Sequence, residues 1–559
     1  MPQLKTTHGG GAARCVSGTH RISKTEMLIL IAIIVLQVLT MLFVGCKKQG
    51  YHIDEIYSYI LSNSYDSDRI STDASVWNTW VPGERFNEFV TVQPQEGFAY
   101  GHVYFNNSTD CHPPFYYWLL HTICSFFPNQ FNQWFGLSIN IFSHILSTVL
   151  VYLISDMLIR SERLKFLPSI MYGFSKFALD NFLFIRMYML LTTLTLCSIY
   201  IYLRMLKDGV SGKRAICSFL LVFAGAMTHY YSLVVNFWCV VLLSSLLLSR
   251  KNFREMFLVC GSALAAVILM VLCYPFVITQ ATGSSTNNIG NEVVKNLFNI
   301  KLWVTQTLRL AKELILSISF RLDISLIIVF LVSIFLLYFA RLLVKQKRNS
   351  TELPENIIEI IGLTLLFGLT FLTISFIGGN YVFIRYIYMI IPLLYIIVFA
   401  ILDDCTYGRV KVQTVVLSLA IVFSLTNAGM LVAKEALSFL YVEKDETERK
   451  FSENYSSTPL IVLGNEEKHS TEVPTGNFTT LRSFDKVYLS SVKEVENDDI
   501  LQETLQKNAS VVVYIGTSSY WLDGLKPEKV FERLMDENVF TSEKIADGSL
   551  GEYYLVTLQ

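Results

Sequence analysis

Residues 27–59 read MLILIAIIVLQVLTMLFVGCKKQGYHIDEIYSY. From Met27 to Val44 no side chain is charged, and a run of about 20 apolar residues is what an α-helix needs to cross the hydrocarbon core of a bilayer. A secretory signal has an apolar region of only about 7–15 residues and ends at small residues. This run is longer and closes on Cys46-Lys47-Lys48, so it reads as a retained helix. A few residues on, Asp54 and Glu55 stand side by side next to His52. Ionisable groups at a membrane edge are costly, so a chain this apolar has reason to keep two adjacent carboxylates there only if it uses them.

The same pattern continues along the chain. Hydrophobic residues make up 52% of 559, only 16% are charged and the mean hydropathy is +0.44, the composition of a polytopic α-helical membrane protein. A net charge of −1 without a clustered basic face argues against nucleic acid as a partner. A window of about 19 residues predicts about eleven spans, near 27–46, 134–158, 165–180, 183–203, 215–229, 232–249, 256–277, 324–344, 357–377, 383–402 and 412–432. Alternate connections are basic: Arg14, Arg21 and Lys24; Arg160, Arg163 and Lys165; Arg204, Lys207, Lys213 and Arg214; Arg250, Lys251 and Arg254; Arg341, Lys345, Lys347 and Arg348; Arg409 and Lys411. Under the positive-inside rule these are cytoplasmic. The expectation is a multi-pass plasma-membrane protein with a cytoplasmic N-terminal tail (1–26), a membrane module (27–440) and an extracytoplasmic C-terminal domain (450–559). Cytoplasmic ends are expected to hold only ordinary Lys and Arg.

Two segments stand out of the membrane. The first external loop, about 47–133, is polar and aromatic and ends in HPPFYYWLLHTICSFFPNQF, which suggests an interfacial helix. In the C-terminal domain, PLIVLG, ASVVVYIGTS and GEYYLVTL read as strands and PEKVFERLMDE as an amphipathic helix, giving a small α/β unit. A further external loop, 278–322, reads as an amphipathic helix with Lys295, Lys301, Arg309 and Lys312 toward its polar side. The ten cysteines lie mostly within spans and form no disulfide framework, and neither CxxC nor HExxH occurs.

On this topology five polar-aromatic clusters fall at the outer face: YHIDEIYSY (51–59), DCHPPFYYW (110–118), FIRMYML (184–190), THYYSL (228–233) and GGNYVFIRYIYM (378–389). Each has a plainer reading. Asp54-Glu55 would serve as a helix cap, His112-Pro113-Pro114 as a helix start, Arg186 and Arg385 as snorkelling side chains, His229 as a packing residue and Tyr188, Tyr230, Tyr231, Tyr386 and Tyr388 as belt aromatics. A cap needs one carboxylate, however, and five clusters on one face imply one site there.

In order and sidedness these motifs resemble the bacterial GT-C glycosyltransferases related to protein O-mannosyltransferases and the aminoarabinose transferase, a glycosyltransferase family 39-like group, over about residues 1–440. The resemblance implies a GT-C fold and an inverting transfer of a sugar from a polyprenyl-phosphate donor to a glycan, lipid or protein acceptor at the outer face. Asp54 or Glu55 would then be the base that single displacement requires. Arg385 and Arg186 would receive the leaving phosphate's charge, with His112, Tyr188, His229, Tyr230 and Tyr386 as further substrate-binding residues. Some members of the superfamily use a divalent metal; Mg, Mn or Zn would here find ligands in Glu55, His112 and His229. The rival class is a transporter or lipid flippase. Such proteins keep ionisable groups near the bilayer midplane, whereas here they gather at the outer ends of the spans.

Overall fold

The computed structural model describes residues 22–64, 73–282, 299–319, 356–378, 382–470, 472–519, 522–535 and 539–559. In chain order the helices of the membrane module are α1 (Lys24–Lys47), α2 (Ile53–Asn63), α3 (Tyr100–Ser108), α4 (Phe115–Ser125), α5 (Gln133–Leu158), α6 (Leu167–Gly173), α7 (Lys176–Leu183), α8 (Tyr188–Asp208), α9 (Gly212–Thr228), α10 (Tyr231–Ser249), α11 (Phe253–Cys273), α12 (Phe276–Thr282), α13 (Ile300–Ser319), α14 (Ile357–Ile377), α15 (Ile391–Thr406, led in by a 3-10 turn at Ile384–Ile390) and α16 (Val410–Ala433).

Among the described residues eight helices are long and apolar enough to cross a membrane: α1, α5, α8, α10, α11, α14, α15 with its lead-in turn, and α16. The protein is a polytopic helical membrane protein. α9 follows the expected 215–229 span and has 17 residues, about 25 Å of helix. The expected span at 165–180 is not one helix. Ser175 accepts a hydrogen bond from the Ala178 backbone N–H and donates one to the Tyr172 carbonyl, which ends α6 and starts α7. Phe174 and Ser175 are both buried in protein, so the break exposes no backbone to lipid. The expected span at 324–344 lies outside the described residues.

The two ends of the bundle differ. The end carrying the start of α1 was expected to hold ordinary surface cations, and this needs correcting. Lys165 is buried and bonds Glu26, Asp156 (3.1 Å) and Glu162, while Arg160 pairs with Asp404 (3.0 Å) and its backbone N–H, like that of Ser161, donates to Asp403. These cations fold back against acids on α1, α5 and α15, because buried charges persist only when paired. Mid-bundle, Gln37 on α1 donates to the Ser169 carbonyl and accepts from Thr148 and His144 of α5, an interhelical polar seam of neutral groups.

At the opposite end the first loop meets the C-terminal domain. The loop contributes β1 (Trp80–Val81), and the domain follows as α17 (Val442–Tyr455), β2 (Leu460–Leu463), α18 (Glu472–Gly476), α19 (Phe478–Leu481), β3 (Val487–Ser490), α20 (Val492–Asn497), α21 (Ile500–Lys507), β4 (Ser510–Ile515), α22 (Pro527–Leu534), β5 (Phe540–Gly548) and β6 (Gly551–Leu558). The strands form one six-stranded sheet in the order β1-β3-β2-β4-β6-β5, with β2 parallel to β3 and β4 and the other pairs antiparallel. Alternation sends Ile461, Leu463, Val511 and Val513 toward Leu505, Val530 and Phe531 on one face. Leu460, Val462 and Val512 go to the other, where they join the core that runs into the membrane module.

β1 pairs Trp80 with Tyr488 and Val81 with Val487, which places loop and domain on one side of the membrane. Trp77 stacks on His469 at 4.0 Å. Gly83 lies so close that a Cβ there would stand 2.3 Å from the Leu481 carbonyl oxygen and 2.5 Å from that of Phe484.

Candidate functional site

Leaving α1, the chain turns at Lys48 and starts α2 with His52 as N-cap. The imidazole Nδ1 accepts from the Asp54 N–H (3.1 Å), and Glu55 closes a capping box on the His52 N–H (2.7 Å). Glu55 goes beyond capping. It accepts from the Ile185 N–H (2.8 Å) and from the Lys48 ammonium (3.0 Å), which also reaches the Phe439 carbonyl at 3.0 Å. Both side chains are completely buried. Burial pushes the Glu55 carboxyl up, against the pull of Lys48 and the two backbone donors, and pushes the Lys48 ammonium down. Glu55 therefore clasps three segments: the end of α1, the start of α2 and the α7–α8 connection.

Asp54 points elsewhere, as adjacent residues on a helix must. Its side chain is 23% exposed and lies 3.1 Å from Arg385 and 3.7 Å from His52 Nδ1. Burial raises its carboxyl, but the Arg186 and Arg385 guanidiniums outweigh that and hold it below the usual carboxylate range. Arg186 is buried and donates to the Tyr117 hydroxyl (3.1 Å) and, at 3.4 Å, to Ser58. Arg385 lies over Phe383 at 4.3 Å and near the rings of Phe184 (5.5 Å) and Tyr386 (5.7 Å). The Nε of each arginine is buried with no hydrogen-bond acceptor among the described residues. Guanidinium donors normally find partners when buried, so two unspent donors beside one partly exposed carboxylate mark a place for a further anion.

An aromatic wall completes the site. His112 pairs with Asp110 (2.7 Å) and sits edge-on to His229, their rings 5.6 Å apart. His229 accepts from the Tyr231 N–H at Nδ1 and stacks on the Tyr231 ring, and Tyr188 and Tyr386 complete the cluster within about 6 Å. The structure thus brings together Asp54, His112, Arg186, Tyr188, His229, Arg385 and Tyr386, with Glu55 behind them. Tyr230 does not join. Its hydroxyl bonds Gln280, whose amide in turn donates to the carbonyls of Asn107 (3.0 Å) and Asp110 (2.7 Å), so Tyr230 braces the loop that carries His112. Tyr231 takes the inward position instead.

Sequence reasoning left out Lys48, Ser58, Tyr117, Phe184 and Tyr231 as site residues. Four of these lie inside the quoted clusters, and helical phase would have separated Tyr231 from Tyr230.

Glu55, His112 and His229 do not meet as metal ligands, since both Glu55 oxygens are taken by donors. Among the described residues the one set close enough to share an ion is Asp110, Cys111 and His112, within 4.8 Å of one another. These fit Mg or Mn poorly: Asp110 and His112 already bond each other, and the Cys111 sulfur is a soft donor where those ions take oxygens.

Fold and site together define a polytopic helical membrane protein with one charge-lined site at the end of the bundle that carries the α/β domain. Among solved structures it is similar to ArnT from Cupriavidus metallidurans bound to undecaprenyl phosphate (9% identity, TM-score 0.46, covering 96% of this chain and 98% of that one). It is similar too to ArnT in the apo state (10%, 0.46, 94% and 98%). A third likeness is to the archaeal oligosaccharyltransferase AglB from Archaeoglobus fulgidus in complex with an inhibitory peptide and a dolichol-phosphate (10%, 0.40, 90% and 72%). No family model and no curated protein matches the chain.

Proposed function

We propose that this protein is an inverting membrane glycosyltransferase that moves a sugar from a polyprenyl-phosphate donor to a hydroxyl of a glycan, lipid or protein acceptor. The observation that carries the reading is the arginine pair, buried Arg186 and half-buried Arg385, whose Nε donors are spent on no acceptor among the described residues, beside the partly exposed carboxylate of Asp54. A phosphate suits such forked donors. The motif resemblance points the same way.

Asp54 takes the proton of the acceptor hydroxyl while the acceptor oxygen bonds the anomeric carbon. The bond from that carbon to the phosphate oxygen breaks on the opposite face, and the lipid phosphate leaves with the electron pair, its charge received by Arg186 and Arg385. Arg385 then serves two anions in turn. In the free protein it holds Asp54 ionised; a docked phosphate competes for it, which returns basicity to Asp54 when a base is wanted. His112, His229, Tyr188, Tyr231 and Tyr386 offer flat faces and ring edges to the sugar. No step here is routed through a metal.

The test is transfer by the purified protein in lipid nanodiscs with a panel of polyprenyl-phosphate sugars, with release of the lipid phosphate followed by mass spectrometry. The reading expects release with at least one donor, slowed by about 10²–10⁴-fold in Asp54→Asn. Failure of wild type to bind any polyprenyl phosphate or consume any such donor would overturn it and leave a transporter or flippase as the stronger class.

A further inference from the structure

Resting on the function just proposed, we infer that Phe439, in the segment joining the last membrane helix to the C-terminal domain, is a positioning residue of the site. Its ring stacks on Phe184 at 4.2 Å with 12° between planes, and Phe184 is in turn parallel to Tyr188 (5.8 Å, 8°). This three-ring slab is the back wall of the charged pair. Arg385 lies 5.5 Å from the Phe184 ring, and His52, which bonds the Asp54 N–H, meets Phe184 and Phe439 edge-on at 5.5 and 6.1 Å. Removing the outer ring leaves one face of Phe184, and with it the Asp54–Arg385 geometry, less firmly supported.

The backbone around Phe439 is held on both sides, as an element that fixes something else must be. Asp180 accepts from the Ser438 N–H (2.7 Å) and hydroxyl (2.8 Å), Lys176 donates to the Ala436 carbonyl (2.8 Å), and Lys48 donates to the Phe439 carbonyl while bound to Glu55. The segment runs between two non-glycine residues in left-handed backbone, Glu435 (φ 50°) and Tyr441 (φ 56°). Such conformations persist where the surroundings over-determine them, and they cluster at working sites. The same Lys48 that closes the Glu55 clasp thus fixes the segment carrying the ring, so the site is built on the linker as much as on the membrane helices.

The experiment compares full-length wild type with Phe439→Leu and Phe439→Met, which keep bulk without a flat face, and Phe439→Tyr, which keeps the ring. Three quantities are read: thermal midpoint, binding of undecaprenyl phosphate in nanodiscs, and kcat with KM for transfer. The expected result is that Leu and Met hold a near-native midpoint and phosphate affinity while kcat falls by between about tenfold and a hundredfold, the usual effect of misplacing reacting groups, and that Tyr restores it. Turnover within twofold of wild type in both Leu and Met variants overturns the inference, as does a fall in kcat that follows the midpoint and is not restored by Tyr. A wild type that neither binds the phosphate nor consumes donor fails differently: it overturns the proposed function itself.

Discussion

The carboxylate of Asp54 lies 3.1 Å from a terminal nitrogen of Arg385, joining the first loop to the turn that opens a late membrane helix. The next residue, Glu55, faces Lys48 in complete burial. Two adjacent acids therefore answer to different cations in different surroundings, and exchanging either should have a different consequence.

Asp54→Asn removes the proton acceptor and leaves a side chain of the same shape in a partly open position. Transfer should fall by about 10²–10⁴-fold, the range for a lost general base, with the thermal midpoint held. Glu55→Gln strands a buried ammonium, a loss of about 3–5 kcal/mol, so its defect should be in folded yield and melting temperature. The double change Lys48→Met with Glu55→Gln should recover part of that loss, since Gln keeps an oxygen for a backbone N–H and no buried ammonium is stranded. Equal, full activity of Asp54→Asn and Glu55→Gln in a purified assay would remove the acidic pair from the mechanism.

Arg385→Lys and Arg186→Lys keep the charge and lose the fork. Each should cost about 10²–10³-fold in kcat, as for the loss of one transition-state donor. Steady-state kinetics with a polyprenyl-phosphate donor checks this; near-normal turnover in Arg385→Lys would make Arg385 a packing cation.

The pH dependence has a defined sign. Because the folded protein holds the Asp54 carboxyl below its usual range, its contribution to stability is complete above the unfolded pKa of about 3.9 and is lost only as the pH falls through the lower folded value. For the same reason kcat/KM, which reports the free enzyme, should show no acid limb from Asp54 between about pH 5 and 7. An acid limb near pH 6 that disappears in Asp54→Asn would contradict this assignment.

Gly83→Val places branched bulk against the Leu481 and Phe484 carbonyls, which already leave no room for a Cβ. It should destabilise the junction of loop and domain by about 1–3 kcal/mol. Limited proteolysis should then cut the first loop faster than in wild type, whereas an unchanged cleavage rate would show the junction to be loose.

Much of the architecture was legible because a bilayer imposes it. Long uncharged runs read directly as helices, and the strands at 460–463, 510–515 and 551–558 announce themselves as short β-branched or aromatic runs. Other features had no local signal. β1 is two residues long, and β5, FTSEKIADG, is polar because it is an edge strand paired only with β6. The break at Ser175 depends on one hydroxyl bonding two backbone groups, which hydropathy does not see. At the site, motifs tell which segments converge but not which way side chains face: Tyr230 and Tyr231 differ only in helical phase, and Lys48 reads as the flank of a span because its pairing with Glu55 has no local signal.

Because Trp80 and Val81 pair with residues 487 and 488, the order of synthesis constrains assembly. The loop bearing Asp54 emerges early, yet its partner strand arrives only after the later membrane helices have been made. Contacts so distant along the chain form slowly. Until then the loop lacks its strand partner, and a chain halted before residue 487 would leave Trp80 and Val81 without one. Completion of the junction between loop and domain is thereby tied to synthesis of the distal chain.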